Sequence, residues 1–110
     1  KKVLEEIKNH KQIPALGVLK NFGIIPSIGI LSFPREGITL ALDFPNKGKK
    51  TLDLLNKLDK IIINYGGAVY PAKDARMSKE VFYSSFPNVD KFTTYIDKKF
   101  SSSFWRRVNK

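Results

Sequence analysis

The spacing of apolar positions changes several times along the chain, and each change predicts an element. In Lys1-Lys2-Val3-Leu4-Glu5-Glu6-Ile7, Val3 and Ile7 stand one helical turn apart, which predicts a helix over Lys2 to Lys11, followed by Pro14. Ala15 to Phe22 reads as a strand closed by Gly23. Ile28 to Phe33 and Ile38 to Phe44 are rich in β-branched and aromatic residues and are joined through Pro34-Arg35-Glu36-Gly37, the pattern of a hairpin. Beyond Pro45 and a turn over Asn46 to Lys50, Leu55, Leu58, Ile62 and Tyr65 recur at helical spacing until Gly66-Gly67 supplies a stop. Ala68 to Pro71 is a short extended segment. Ser78 can cap a short helix with Glu80 in its favourable first turn. Pro87 and Asn88 then open a helix in which Val89, Phe92 and Ile96 share a face. The order helix, strand, strand, strand, helix, strand, helices predicts an α+β fold, a small antiparallel sheet packed on helices.

Composition narrows the chemistry. At 110 residues there is room for one modest core, and the 42% hydrophobic content is that of a folding chain. No cysteine is present, which removes disulfides, thiolate metal sites and thiol nucleophiles together. The single histidine, His10, cannot by itself build a zinc site, so no metal site is expected. Twenty Lys and Arg against ten Asp and Glu give a net charge of +10, a surface that attracts anions. The lysines run from Lys1 to Lys110 with no block longer than two, which reads more readily as a solvated face than as a nucleic-acid arm. A small basic module for nucleic acid or an acidic partner is the alternative reading. The apolar stretches, Ile24 to Ile25 and Ile28 to Leu31 among them, fall far short of the roughly 20 residues that a bilayer requires. The first residues carry no initiator Met and no signal-peptide pattern and already read as helix, so the chain is expected to be a piece of something larger.

Three places break the pattern. On the first strand Leu16, Val18, Lys20 and Phe22 share one parity, so an ammonium stands among large apolar groups. If that face is partly buried, Lys20 needs a partner or an anionic ligand; an edge-strand lysine reaching to water is the other reading. On the later strand Ile38, Leu40, Leu42 and Phe44 form a core face, while Thr39, Ala41 and Asp43 form a small polar face that suits either solvent or a pocket wall. Finally, Gly66 to Arg76 brings a glycine pair, a strand stub and a cluster of Tyr70, Lys73, Asp74 and Arg76 together. Charged groups of both signs on a loop after a strand are often functional, and are equally often a surface ion-pair group.

The segments Val18-Leu19-Lys20-Asn21-Phe22-Gly23, Leu31-Ser32-Phe33-Pro34, Leu42-Asp43-Phe44-Pro45 and Gly66-Gly67-Ala68-Val69-Tyr70-Pro71-Ala72-Lys73-Asp74-Ala75-Arg76 stand in a definite order and spacing. In that order they resemble the C-terminal part of FAD-linked oxidases of the vanillyl-alcohol-oxidase superfamily, and within it the decaprenylphosphoryl-β-D-ribose 2-oxidase-like oxidoreductases. Phe86 to Asp90 and Phe100 to Arg107 resemble the same family's tail, so the likeness covers nearly the whole chain. The Tyr-x-Ala-Lys-Asp-x-Arg stretch is its most specific element.

The resemblance implies that residues 1–67 are the last part of a substrate (cap) domain and that residues 68–110 return to an FAD-binding domain. It implies FAD as cofactor, held mainly by residues absent from this chain, so the chain alone is expected to be inactive. By position, Lys73 matches a lysine beside the flavin pyrimidine edge, a catalytic and cofactor-binding role, and Tyr70 the tyrosine next to it. Val18, Lys20, Phe22, Thr39 and Ala41 match residues lining the substrate pocket. Thr39 and Ala41 stand where the lipid-linked ribose oxidases carry an asparagine and a cysteine, and Ser103 stands where relatives often carry an aspartate. The implied reaction is oxidation of a secondary alcohol of a sugar, sugar lactone or polyprenyl-linked sugar. The implied partners are that sugar substrate and a partner reductase, with no nucleic acid. The implied location is cytoplasmic, with room for a peripheral membrane association. A third reading is a structural or oligomerising piece, because a severed substrate domain exposes apolar surface and self-associates.

Overall fold

The computed structural model describes residues 1–109. Helix α1 (Lys2–Asn9) leads into strand β1 (Leu16–Phe22), which pairs antiparallel with β2 (Gly37–Asp43). Helix α2 (Lys49–Asn64) follows, then three short helices: α3 (Lys79–Ser85), α4 (Val89–Thr93) and α5 (Ser103–Val108). The fold is α+β, with a two-stranded sheet as its β part.

Two apolar clusters hold these elements. The first joins Ile7 of α1 to Leu54 and Leu58 of α2, with Val3, Leu42, Phe44, Leu55 and Ile61 packed around them. Under it, buried Gln12 donates to the Lys50 carbonyl at 3.0 Å, and its amide oxygen lies 3.0 Å from the Thr51 hydroxyl, so the linker after α1 is pinned to the start of α2. The second cluster is Met77, Phe82, Phe86, Val89 and Val108, with Leu31, Phe33, Val69, Phe104 and Trp105 against it. Phe82 is its hub, within 5.2 Å of the Phe86 ring and 5.4 Å of Phe104.

The expected hairpin of Ile28 to Phe33 with Ile38 to Phe44 does not form. Residues 28–33 form no strand, with a bend and turn over residues 29–31, and β2 pairs instead with β1, Leu19 facing Leu40 and Lys20 facing Thr39. Pro26 and Pro34 bracket the segment, and neither can donate to a ladder. Ser27 donates to Ser32 across a local turn at 2.7 Å, and Arg35 donates to the Ser85 carbonyl at the end of α3 at 2.7 Å. The segment therefore carries Leu31 and Phe33 into the second cluster rather than lying beside β2. Ala68 to Pro71 forms no strand; it is fixed by Val69 N–H donating to the buried Ser85 hydroxyl at 2.9 Å.

Other expectations shift in detail. Only the Leu42 and Phe44 end of the β2 apolar face packs; Ile38 and Leu40 are exposed where the strands run past the helices. On α2 the buried face is Thr51, Leu54, Leu58 and Asp59, and Tyr65 is 66% exposed. Gly66 in the left-handed region (φ 69°) and Gly67 N–H donating to the Ile62 carbonyl at 2.9 Å end that helix at the expected place. Helix α4 stops before Ile96, as the Thr93 and Thr94 hydroxyls donate back to the Asp90 and Lys91 carbonyls at 2.7 and 2.9 Å. Helix α5, which the apolar spacing did not predict, starts on Ser102, whose hydroxyl accepts from Trp105 N–H at 3.0 Å.

Candidate functional site

Residues directly opposite each other in an antiparallel pair project to the same side of the sheet. The register sets Val18 against Ala41, Lys20 against Thr39 and Phe22 against Gly37. All five residues assigned to substrate from the sequence, Val18, Lys20, Phe22, Thr39 and Ala41, thus stand on one face. Asp43, opposite Leu16, joins them. Six residue steps, from Phe22 opposite Gly37 to Asp43 opposite Leu16, make this patch roughly 20 Å long. Val18 is 36% exposed, and Lys20 has no ion-pair partner among the described residues. The face is open in this chain, so Lys20 reaches water without a buried counter-charge.

Lys73 comes to this face from the other half of the chain. Its ammonium lies 3.3 Å from Asp43 Oδ2, an ion pair between groups 82% and 54% exposed. Lys73 and Lys11 are the non-glycine residues at positive φ among those described. Lys11 (φ 50°) sits just past the end of α1, where helices commonly place a left-handed residue. Lys73 (φ 52°) follows no helix, and holding a lysine there costs roughly 1–3 kcal/mol, which surrounding contacts must offset. The Tyr70 ring lies 5.1 Å from that of Phe33, tilted by 58°, and is itself largely exposed.

Those contacts come from the residues after Lys73. Asp74, whose carboxylate is 9% exposed, accepts from Arg76 N–H at 3.2 Å and Met77 N–H at 2.8 Å through Oδ1, and Arg107 of α5 donates to its Oδ2. Arg107 Nε also donates to the Met77 carbonyl at 3.2 Å. Arg76 grips Asp59 of α2 with two bonds, 2.6 and 3.0 Å, and donates to Asn56 at 2.9 Å. With Asp59 8% exposed, this fork is a partly buried, charge-assisted pair and not a surface ion pair of negligible strength. Asp43, Asp59 and Arg107 do not stand out as site residues in the sequence. For Asp59 a signal exists there: an acid on the apolar face of a helix, beside Leu58, calls for a cation. Asp43 is legible only as a member of the small polar face with Thr39 and Ala41, and Arg107 carries no such signal; their partners lie 30 and 33 positions away.

The arrangement offers a cation, Lys73, facing an open strip of small and apolar side chains that carries a second cation, Lys20. That is a surface on which a flat or anionic group can rest with its charge met by amines. No family model matches the chain. It is 32% identical over 92 residues to decaprenylphosphoryl-beta-D-ribose oxidase of Mycolicibacterium smegmatis, a match covering 84% of this chain and 20% of that protein. An uncharacterized protein in the mprA 5′ region of Streptomyces coelicolor is 38% identical over 76 residues, 69% of this chain and again 20% of its own length. The chain thus spans about a fifth of the length of the curated relatives it matches, and over 92 residues it is similar to part of an oxidase.

Proposed function

We propose that this chain is the C-terminal part of an FAD-dependent oxidoreductase that oxidises a secondary alcohol of a sugar, sugar lactone or polyprenyl-linked sugar. The observation that carries the reading is the gathering of Val18, Lys20, Phe22, Thr39 and Ala41 on one sheet face, with Lys73 reaching it from a different stretch of chain. The similarity to the M. smegmatis oxidase adds the reaction class.

The residues present fit a flavin edge. Lys73 offers an exposed amine in a fixed backbone position, and Tyr70 a phenol three residues before it. When bound, FAD would supply the two-electron oxidising capacity that turns a carbinol into a ketone, hydride passing to the flavin and the hydroxyl proton to solvent water. Lys73 contributes a fixed positive charge toward which developing negative charge is drawn, an effect worth on the order of 10²–10³ in turnover for a single donor. Lys20 holds a substrate oxygen or phosphate, with Val18 and Phe22 as apolar wall. Thr39 and Ala41 leave that wall small and so set which sugar fits.

Residues 1–67 then belong to a substrate-covering domain and residues 68–110 to the segment returning to the flavin domain. The division of the packing into a cluster before residue 62 and a cluster built mainly after residue 68 agrees with this. Alone, the chain is expected to be inactive and to self-associate through exposed Leu19, Ile24, Ile25 and Ile38. Among the described residues no helix is long and apolar enough to cross a membrane; a lipid-linked substrate would be met at the membrane surface, and a partner reductase would handle the electrons. The test is the full-length gene product. It is expected to purify with flavin absorbance, and Lys73→Ala is expected to lower turnover about a hundredfold with little change in melting temperature. A colourless protein, or a Lys73→Ala variant of normal turnover, overturns the reading.

A further inference from the structure

Resting on the flavin-facing role proposed for Lys73, we infer that Asp74 and Arg107, with the Arg76 to Asp59 pair behind them, are positioning residues that hold Lys73 in its left-handed backbone conformation and so aim its amine at the sheet face. Lys73 and Asp74 are neighbours, yet their side chains serve different elements: one reaches Asp43 at the end of β2, the other turns inward to α5. The chain turns between these two side chains at the positive φ of Lys73. The conformation is unfavourable for lysine by itself, and the bonds that oppose its relaxation lie immediately downstream. Asp74 Oδ1 closes a turn over Arg76 and Met77, Oδ2 accepts from Arg107, and Arg107 Nε also holds the Met77 carbonyl. Arg76 fastens the same turn to α2 through the two-bond fork on Asp59. The turn is thus tied to two helices, while the Lys73 side chain itself is restrained by a single exposed ion pair. The backbone sets the direction in which the Lys73 side chain leaves the turn, and the ion pair with Asp43 meets its amine at the sheet face.

Two variants of the full-length protein separate the parts of this device. Asp74→Asn keeps an oxygen for the turn N–H groups and weakens the bond to Arg107. Arg107→Lys keeps the charge and loses the fork that reaches Asp74 and Met77 together. Each is expected to lower kcat by about tenfold with substrate KM within about twofold. The discriminating measurement is a double variant. If Arg107 acts through Lys73, Lys73→Ala with Arg107→Lys is no slower than Lys73→Ala alone. Should the two losses multiply, or should both single variants keep kcat within about twofold of the parent while Lys73→Ala is slow, the positioning role is wrong and the role of Lys73 stands. If Lys73→Ala itself keeps normal turnover, it is the functional reading that fails. Where Arg107→Lys does not fold, Asp74→Asn in the same cycle with Lys73→Ala distinguishes the same outcomes.

Discussion

At the scale of single residues, a side chain's task follows from what its neighbours leave free. Ser78 shows this at the start of α3: its hydroxyl accepts from Val81 N–H at 3.3 Å. The hydrogen bond from Ser78 and then the bond from its own backbone hold the Glu80 carboxyl below its ordinary value. A carboxyl lowered in the folded state contributes stability above its unfolded pKa, and that contribution disappears as pH falls through the folded value. Ser78→Ala is therefore expected to cost about 1 kcal/mol at neutral pH through the lost cap. The deficit should narrow on acidification below the ordinary carboxylate range. Thermal melts of both forms by circular dichroism across that range test this, and a deficit independent of pH contradicts it. Ser78 and Glu80 are legible in the sequence because a cap and its first-turn acid lie within three residues of each other. Lys20 is legible as an anomaly for a similar reason, since strand parity is local. The clamp on Asp74 is not, because it depends on Arg107, which only the tertiary fold brings near.

At the scale of elements, turn chemistry decides more than propensity. Residues 28–33 have the composition of a strand, yet two flanking prolines and the Arg35 bond to Ser85 turn them into a connector whose Leu31 and Phe33 serve a helical cluster. What packs is Leu31 and Phe33, while Ile28 is fully exposed, so the β-branched content of the segment marks neither pairing nor burial. Helix α5 escapes the pattern because six residues are too few for periodicity to show, although Ser102 followed by Trp105 and fully buried Val108 mark its cap and its inner face. The end of α2, in contrast, is plain from Gly66-Gly67. A Cβ on Gly67 would lie 2.8 Å from Ile62 Cγ2 and 3.0 Å from its carbonyl oxygen, whereas one on Gly23 would meet nothing within 4 Å. Gly67→Ala is accordingly expected to destabilise by roughly 1–3 kcal/mol through overpacking. Gly23→Ala is expected to be neutral or to stabilise by up to about 1 kcal/mol. Urea unfolding tests both: a Gly67→Ala midpoint equal to the parent's contradicts the first expectation, and a Gly23→Ala midpoint well below the parent's contradicts the second.

At the scale of the whole molecule, the chain is more extended than its length requires. Its radius of gyration is 15.0 Å, against about 13 Å for a compact chain of 100 residues. The excess reflects a sheet that runs past its helices, leaving Leu19, Ile38 and Leu40 exposed on one face and the candidate site open on the other. The α+β class can be read from the order of elements, whereas the number of strands cannot, because pairing is a non-local choice. The assignment of Val18, Lys20, Phe22, Thr39, Ala41 and Lys73 comes from resemblance, and the fold adds that they converge on one surface with Asp43. The most direct measurement is the crystal structure of the full-length gene product. Lys73 Nζ is expected within hydrogen-bonding distance of a bound flavin ring, with the β1–β2 face across from it. A Lys73 amine in bulk solvent, remote from any flavin, would contradict the proposed role.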